Sequence, residues 1–282
     1  MSEAESQPES VPEERPFLEP EKDLTGSGPK LFFIGLGIAF IGALCGIGGG
    51  LFAVPLLHFG FKMHLRRAVA TSLCLVFATT TAATIAEVLS GESEIHWGKV
   101  GFMTIGVLLG AQAGFPISKR FDTRQLRGVF SIVILLAALR ILFAGSEGPI
   151  VAAPPGWWPN LYAGLAGFGA GFVSPILGIG GGLVMVPALL LGPSALGFAA
   201  VRACSMAAAV VTSFRSLSMY WKEGSVHHIA APFLAAGAFV GAILGVTTVH
   251  MPGVTDYARQ LLGLVLIFVS YRFATAWWKG RR

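Results

Sequence analysis

Two glycine-rich phrases supply reactive backbone in a chain whose spans carry few polar side chains. Gly46-Ile47-Gly48-Gly49-Gly50-Leu51-Phe52-Ala53-Val54-Pro55 recurs 132 residues later as Gly178-Ile179-Gly180-Gly181-Gly182-Leu183-Val184-Met185-Val186-Pro187. Ten of fifteen positions are identical between Gly46–Gly60 and Gly178–Gly192. Glycines without a Cβ let the chain unwind, take positive φ and admit a ligand or another backbone at close range. In an apolar surrounding such unwound backbone is costly unless it is buried in protein or lines a wet cavity. The helix that restarts at Leu51 or Leu183 offers free N–H groups and a positive dipole end, which suits a small oxyanion. Pro55 and Pro187, within each restarted helix, free the carbonyls of Leu51 and Leu183. Gly46, Ile47, Gly48, Gly49 and Gly50, with Gly178, Gly180, Gly181 and Gly182, are therefore candidate ligand-binding backbone. Tight helix packing of the small-xxx-small kind is the other reading of the same residues.

Hydroxyls form a second set. Ser72 and Thr79 are seven apart and share a helix face, and Ser205 and Thr212 hold the corresponding positions in the second copy. Four hydroxyls so disposed can donate to an anion's oxygens or bond back to their own helices. Thr71 and Cys204 correspond beside them. Of the charges in the apolar runs, Arg202 and Arg215 share the Ser205 helix and can attract an anion. Glu87, Arg140 and Arg272 stand near span ends, where snorkelling to the interface accounts for them. His96, His227 and His228 fall at the same loop edge in both copies beside Trp97 and Trp221, as interface anchors do. Cys45, Cys74 and Cys204 read as small hydrophobes. Neither a metal-ligand spacing nor a nucleophile with a buried base is present, so no metal, no cofactor and no catalytic residue is assigned.

The elements that must position these residues are membrane helices. With 54% hydrophobic and 12% charged residues and a mean hydropathy of +0.71, the chain carries more apolar surface than one soluble core buries. Apolar runs recur at 31–60, 68–89, 100–117, 129–144, 161–191, 197–219, 229–249 and 261–278, rich in Ala, Leu, Gly and Val. The fold class is all-α and polytopic. The net charge of +5 sits in short loops, where topology explains it better than nucleic acid does. Residues 1–29, dense in Glu, Pro and Ser, read as a disordered acidic tail and not as a signal peptide.

The pieces after each glycine phrase, 51–60 and 183–191, span only about 15 Å, half the hydrocarbon core. Either each long run is one discontinuous span, or it is a hairpin that returns to its own side. Single crossings would put the basic Lys279-Gly280-Arg281-Arg282 tail outside when the Lys62/Arg66/Arg67 loop is inside. Hairpins put Lys30, that loop, the Lys119/Arg120/Arg124/Arg127 loop, Lys222 and the tail all inside, in accord with the positive-inside tendency. The expected architecture is thus two inverted repeats, each a glycine-broken hairpin plus three transmembrane helices. The repeats occupy 30–145 and 160–278, joined by an extracytoplasmic connector at 146–159 and followed by a basic tail at 279–282, with the breaks meeting near the midplane. The duplication runs through Ile95-His96-Trp97 against Val226-His227-His228, and Gly106-x3-Gly110-x3-Gly114 against Gly237-x3-Gly241-x3-Gly245. Arg124–Gly128 likewise matches Arg259–Gly263.

The paired glycine phrases, the Ala70-Thr71-Ser72-Leu73 run and the edge at Glu92–Trp97 resemble the TauE/SafE family of sulfite exporters over roughly residues 30–278. The resemblance implies export of small sulfur oxyanions or organosulfonates, sulfite or sulfoacetate-like, across the cell inner membrane. The lipid bilayer and such an anion are then the partners, and both termini are cytoplasmic. Homodimerisation is left open by the sequence. Positions matching the family's motifs are Gly46–Gly50, Pro55, Thr71, Ser72, Gly178–Gly182, Pro187, Cys204 and Ser205, and the second copy departs at Cys204, where a hydroxyl is expected. Expelling a monoanion down 100 mV of inside-negative potential gains about 2.3 kcal/mol, enough for roughly a fortyfold gradient without a coupling ion. A passive anion channel is the alternative function.

Overall fold

A computed structural model describes residues 26–91, 93–120, 156–194, 196–251 and 253–279, together with Leu135, Ala138 and Leu139. Helices follow the apolar runs: α1 Gly28–Cys45, α2 Gly50–Pro55, α3 Leu65–Leu89, α4 Trp97–Arg120, α5 Trp158–Leu177, α6 Gly182–Leu191, α7 Phe198–Lys222, α8 Ala230–Val249 and α9 Val254–Lys279. Among the described residues, α1, α3, α4, α5, α7 and α8 are long and apolar enough to cross a membrane, while the segments at Gly50–Gly60 and Gly182–Leu191 are shorter. Beyond Pro55 the backbone widens into a π-helical turn at Leu56–Gly60, whereas α6 remains regular beyond Pro187. Most of the 129–144 run, Arg140 and the Arg124–Gly128 repeat lie outside the described residues, as does most of the acidic tail.

Each glycine phrase reverses the chain. Ile47 and Gly48 both donate to Gly42 O, at 2.9 and 3.3 Å, one turn back along α1. A Cβ on Gly49 would stand 2.8 Å from Ile38 Cγ2, two turns back, and one on Gly181 would stand 3.2 Å from Ala170 Cβ, the corresponding place on α5. Backbone that retraces its own helix in this way forms a hairpin. Both copies share this reversal.

Glycine ridges decide which helices can touch. Cβ atoms on Gly237, Gly241 and Gly245 of α8 would run into the main chain of Phe32, Leu36 and Phe40, so α1 and α8 pack in parallel with backbones in contact. Gly106, Gly110 and Gly114 of α4 meet Gly164, Phe168 and Phe172 of α5 in the same manner. Close approach of this kind replaces the missing hydrophobic drive between helices in lipid. Each copy's ridge therefore receives the other copy's hairpin, and the two copies interlock. Between them α3 and α7 run antiparallel: Arg66 near the start of α3 pairs with Glu223 just past α7, and Arg202 near the start of α7 pairs with Glu87 near the end of α3.

A Gly241→Val variant is expected to lose about 1–3 kcal/mol of stability through overpacking against Leu36. Gly37→Ala on α1, where a Cβ meets nothing within 4 Å, is expected to lose none. Thermal melting of the two purified variants in detergent compares them; equal melting points would mean that the ridge is not a packing contact.

Candidate functional site

The two breaks meet at the middle of α3 and α7. Gly46, Gly48 and Gly49 take φ of +77, +80 and +82°, and Gly178, Gly180 and Gly181 take +71, +74 and +85°, values that L side chains rarely adopt. A Cβ on Gly50 would lie 2.5 Å from Gly178 O, and one on Gly182 would lie 2.8 Å from Gly46 O. Every residue from 42 to 50 and from 173 to 183 is buried. The backbone of one break is thus the wall of the other. Leu51 and Leu183 follow directly, each break feeding a short helix that carries no side-chain cap. The N–H groups of Phe52 and Ala53 turn to Gly49 O, and those of Val184 and Met185 to Gly181 O. The earlier donors of each helix, at Gly50, Leu51, Gly182 and Leu183, are the ones a helix leaves unpaired.

The predicted hydroxyls are brought to this junction, with unequal freedom. Ser72 donates to Gly178 O at 2.9 Å and to its own Val69 O at 2.8 Å, and Ser205 donates to Gly46 O at 3.3 Å. Each serine thus tethers the opposite copy's break. Thr79 and Thr212 donate to Leu75 O and Ala208 O on their own helices, so the face they share turns its hydroxyls inward, and the Thr212 methyl lies against Gly181. Thr71 Oγ1 accepts the His227 N–H at 3.1 Å, and Cys204 Sγ accepts the His96 N–H at 3.2 Å. The thiol at Cys204 therefore serves the same interlocking contact as the hydroxyl it replaces. The histidine pair found at matching loop edges enters through backbone N–H groups.

Val76 was not visible as a functional position. Its side chain occupies the gap between the breaks, against the Cβ positions of Gly48, Gly50 and Gly180, and Ala209 is the smaller residue at its counterpart. Nothing in an apolar run distinguishes one valine from its neighbours.

The pairing of Glu87 with Arg202 is a second omission, although Arg202 itself is among the predicted site residues. Glu87 does not snorkel: it is 2% exposed, and Arg202, also 2% exposed, donates from Nη2 to its Oε2 at 2.7 Å. Val88 and Leu89 beside it are exposed, but the Glu87 side chain itself turns inward to Arg202 of α7, so the carboxylate finds a cation before it finds water. His250 Nε2 lies 3.4 Å from the other carboxylate oxygen. Arg202 also borders the first break, its Cγ 3.0 Å from the Cβ position of Gly46. A lone carboxylate and a lone guanidinium in apolar spans each require a partner, and that shared requirement was the available signal. Arg215 is partly exposed on the same helix as Arg202, while the side chain of Arg272 lies outside the described residues.

The model of the family described as Sulfite exporter TauE/SafE matches residues 13–141 and 163–282. A probable membrane transporter protein of Methanocaldococcus jannaschii is 26% identical over 212 residues, 71% of this chain and 76% of its own length. Proteins of the same printed name from Bacillus subtilis and Haemophilus influenzae are 28% identical over 116 residues and 26% identical over 160. Those matches cover 40 and 56% of this chain and 42 and 59% of the relatives' own lengths, so the chain spans less than two thirds of each. No solved structure matches the chain.

Proposed function

Since the chain belongs to the sulfite exporter TauE/SafE family, whose relatives carry membrane-transporter names, we propose that it is a secondary transporter exporting small sulfur oxyanions or organosulfonates. The substrate binds where the two breaks meet. The observation that carries this reading is the reciprocal junction: each break abuts the other's carbonyl, and Ser72 and Ser205 each hold the opposite break. An anion entering there exchanges carbonyl acceptors for its own oxygens. Ser72 and Ser205 turn to it, and the N–H groups of Gly50, Leu51, Gly182 and Leu183 add charge-assisted donors. Arg202 borders this junction at Gly46 while paired with Glu87.

The antiparallel course of α3 and α7 supports two inverted repeats at 30–145 and 160–278, and positive-inside charge supports cytoplasmic termini. Alternating access then follows from one interlocked unit rocking against the other about the shared junction, with the tethering serine bonds exchanged at each stroke.

Saturable uptake of labelled sulfite into proteoliposomes, with counterflow, is the expected behaviour; non-saturating current would assign a channel instead. Replacing Ser72 and Ser205 together by Ala is expected to weaken sulfite binding by roughly tenfold or more, since a hydrogen bond to a charged group contributes about 1.5–3 kcal/mol. Unchanged affinity in the double variant removes the hydroxyls from the site.

A further inference from the structure

At the end of the bundle where α3 finishes and α7 begins, outward in the proposed orientation, Arg202 is held in a state that cannot serve an anion. Its Nη2 is committed to Glu87 at 2.7 Å, and both groups are only 2–3% exposed by side chain. Its Nε–H is buried with no acceptor among the described residues. A buried donor without a partner is costly, so this arginine, whose Cγ borders the Gly46 break, has an unmet need for a second acceptor. Glu87 in turn has a second nitrogen base within reach: His250 Nε2 stands 3.4 Å from Oε1 and is 23% exposed, open to protons from the medium.

We propose that Glu87 is an exchangeable counter-ion, passed from Arg202 to His250 when His250 gains a proton, and that the released Arg202 guanidinium then binds the transported sulfur oxyanion. The inference rests on the reading of the glycine junction as the anion site. A charged imidazole draws the carboxylate toward itself, and Arg202 exchanges it for two oxygens of the anion through Nη2 and Nε. The sign follows: anion binding tightens as pH falls and slackens as His250 loses its proton. Among the described residues, the charged and titratable groups near this end include Glu94 and Lys99, which with Glu87 lie within electrostatic reach of Cys204. Lys99 is bonded to Ser194 O. Asp256 is exposed in the first turn of α9, Arg259 is buried and has a partner, and His96 is exposed with its backbone bonded to Cys204.

The test uses the intact protein and methanesulfonate, a probe that keeps one negative charge throughout, with binding measured at about pH 8 and about pH 5.5, the range over which imidazoles take up protons. About tenfold tighter binding is expected at the lower pH, a coupling of ordinary size. His250→Gln is expected to abolish the step and leave the weaker binding, His250→Arg to fix the tighter binding at both pH values, and His96→Gln to leave the step intact. An acid step that survives in His250→Gln overturns the proposal while leaving the anion site standing. Absence of methanesulfonate binding at both pH values in the unaltered protein overturns the anion site and the proposal together.

Discussion

Placing valine at Gly180 is expected to abolish transport and to destabilise the protein by several kcal/mol. Two independent costs act at this position. Gly180 has φ of +74°, which a β-branched residue occupies only under strain of about 1–3 kcal/mol. Its Cβ would also be driven into Val76 Cγ1, at the centre of the junction where neither α3 nor the opposite break can yield. The two costs separate experimentally. Gly180→Ala combined with Val76→Ala relieves the collision and keeps the strain, so it is expected to recover part of the lost melting temperature. Uptake into proteoliposomes, measured beside the melts, reports whether the junction still binds. Full activity in the single Gly180→Val variant would falsify the assignment of the breaks as the site.

Truncating Arg202 to Met is expected to cost about 3–5 kcal/mol, because it strands the Glu87 carboxylate away from water. The double change Glu87→Gln with Arg202→Met is expected to recover much of that stability, since no buried charge is left. Transport is expected to stay impaired in both, because the double variant restores packing but supplies no guanidinium beside Gly46. A double-mutant cycle on melting, with uptake as the second readout, therefore divides the structural role of the pair from its role toward the anion. Wild-type uptake in the double variant would remove Arg202 from the transport mechanism.

Much of this architecture is legible in the residues because repetition and hydropathy are local signals. The doubled phrase from Gly46 and Gly178 located both chain reversals, and the charges at Lys62, Arg66 and Arg67 favoured hairpins, with which the return of Gly49 to Ile38 agrees. The pairing of Ser72 with Ser205 located the two hydroxyls that reach the breaks. Thr79 and Thr212 shared the same spacing but spend their hydroxyls on Leu75 O and Ala208 O, because in an apolar span the nearest carbonyl of the same helix is always in reach.

What the sequence determined by itself was the number of copies, the membrane as solvent, and the places where helix must give way, since each depends on residue types counted along the chain. What only the tertiary structure decided was who meets whom: that each glycine ridge receives the other copy's hairpin, that Val76 fills the gap between the breaks, and that Glu87 is neutralised by Arg202 across α3 and α7. The reason is physical. Periodicity fixes which face of a helix is small or polar, but lipid discriminates weakly among apolar faces, so partners are selected by backbone approach and by charges that have no water to turn to.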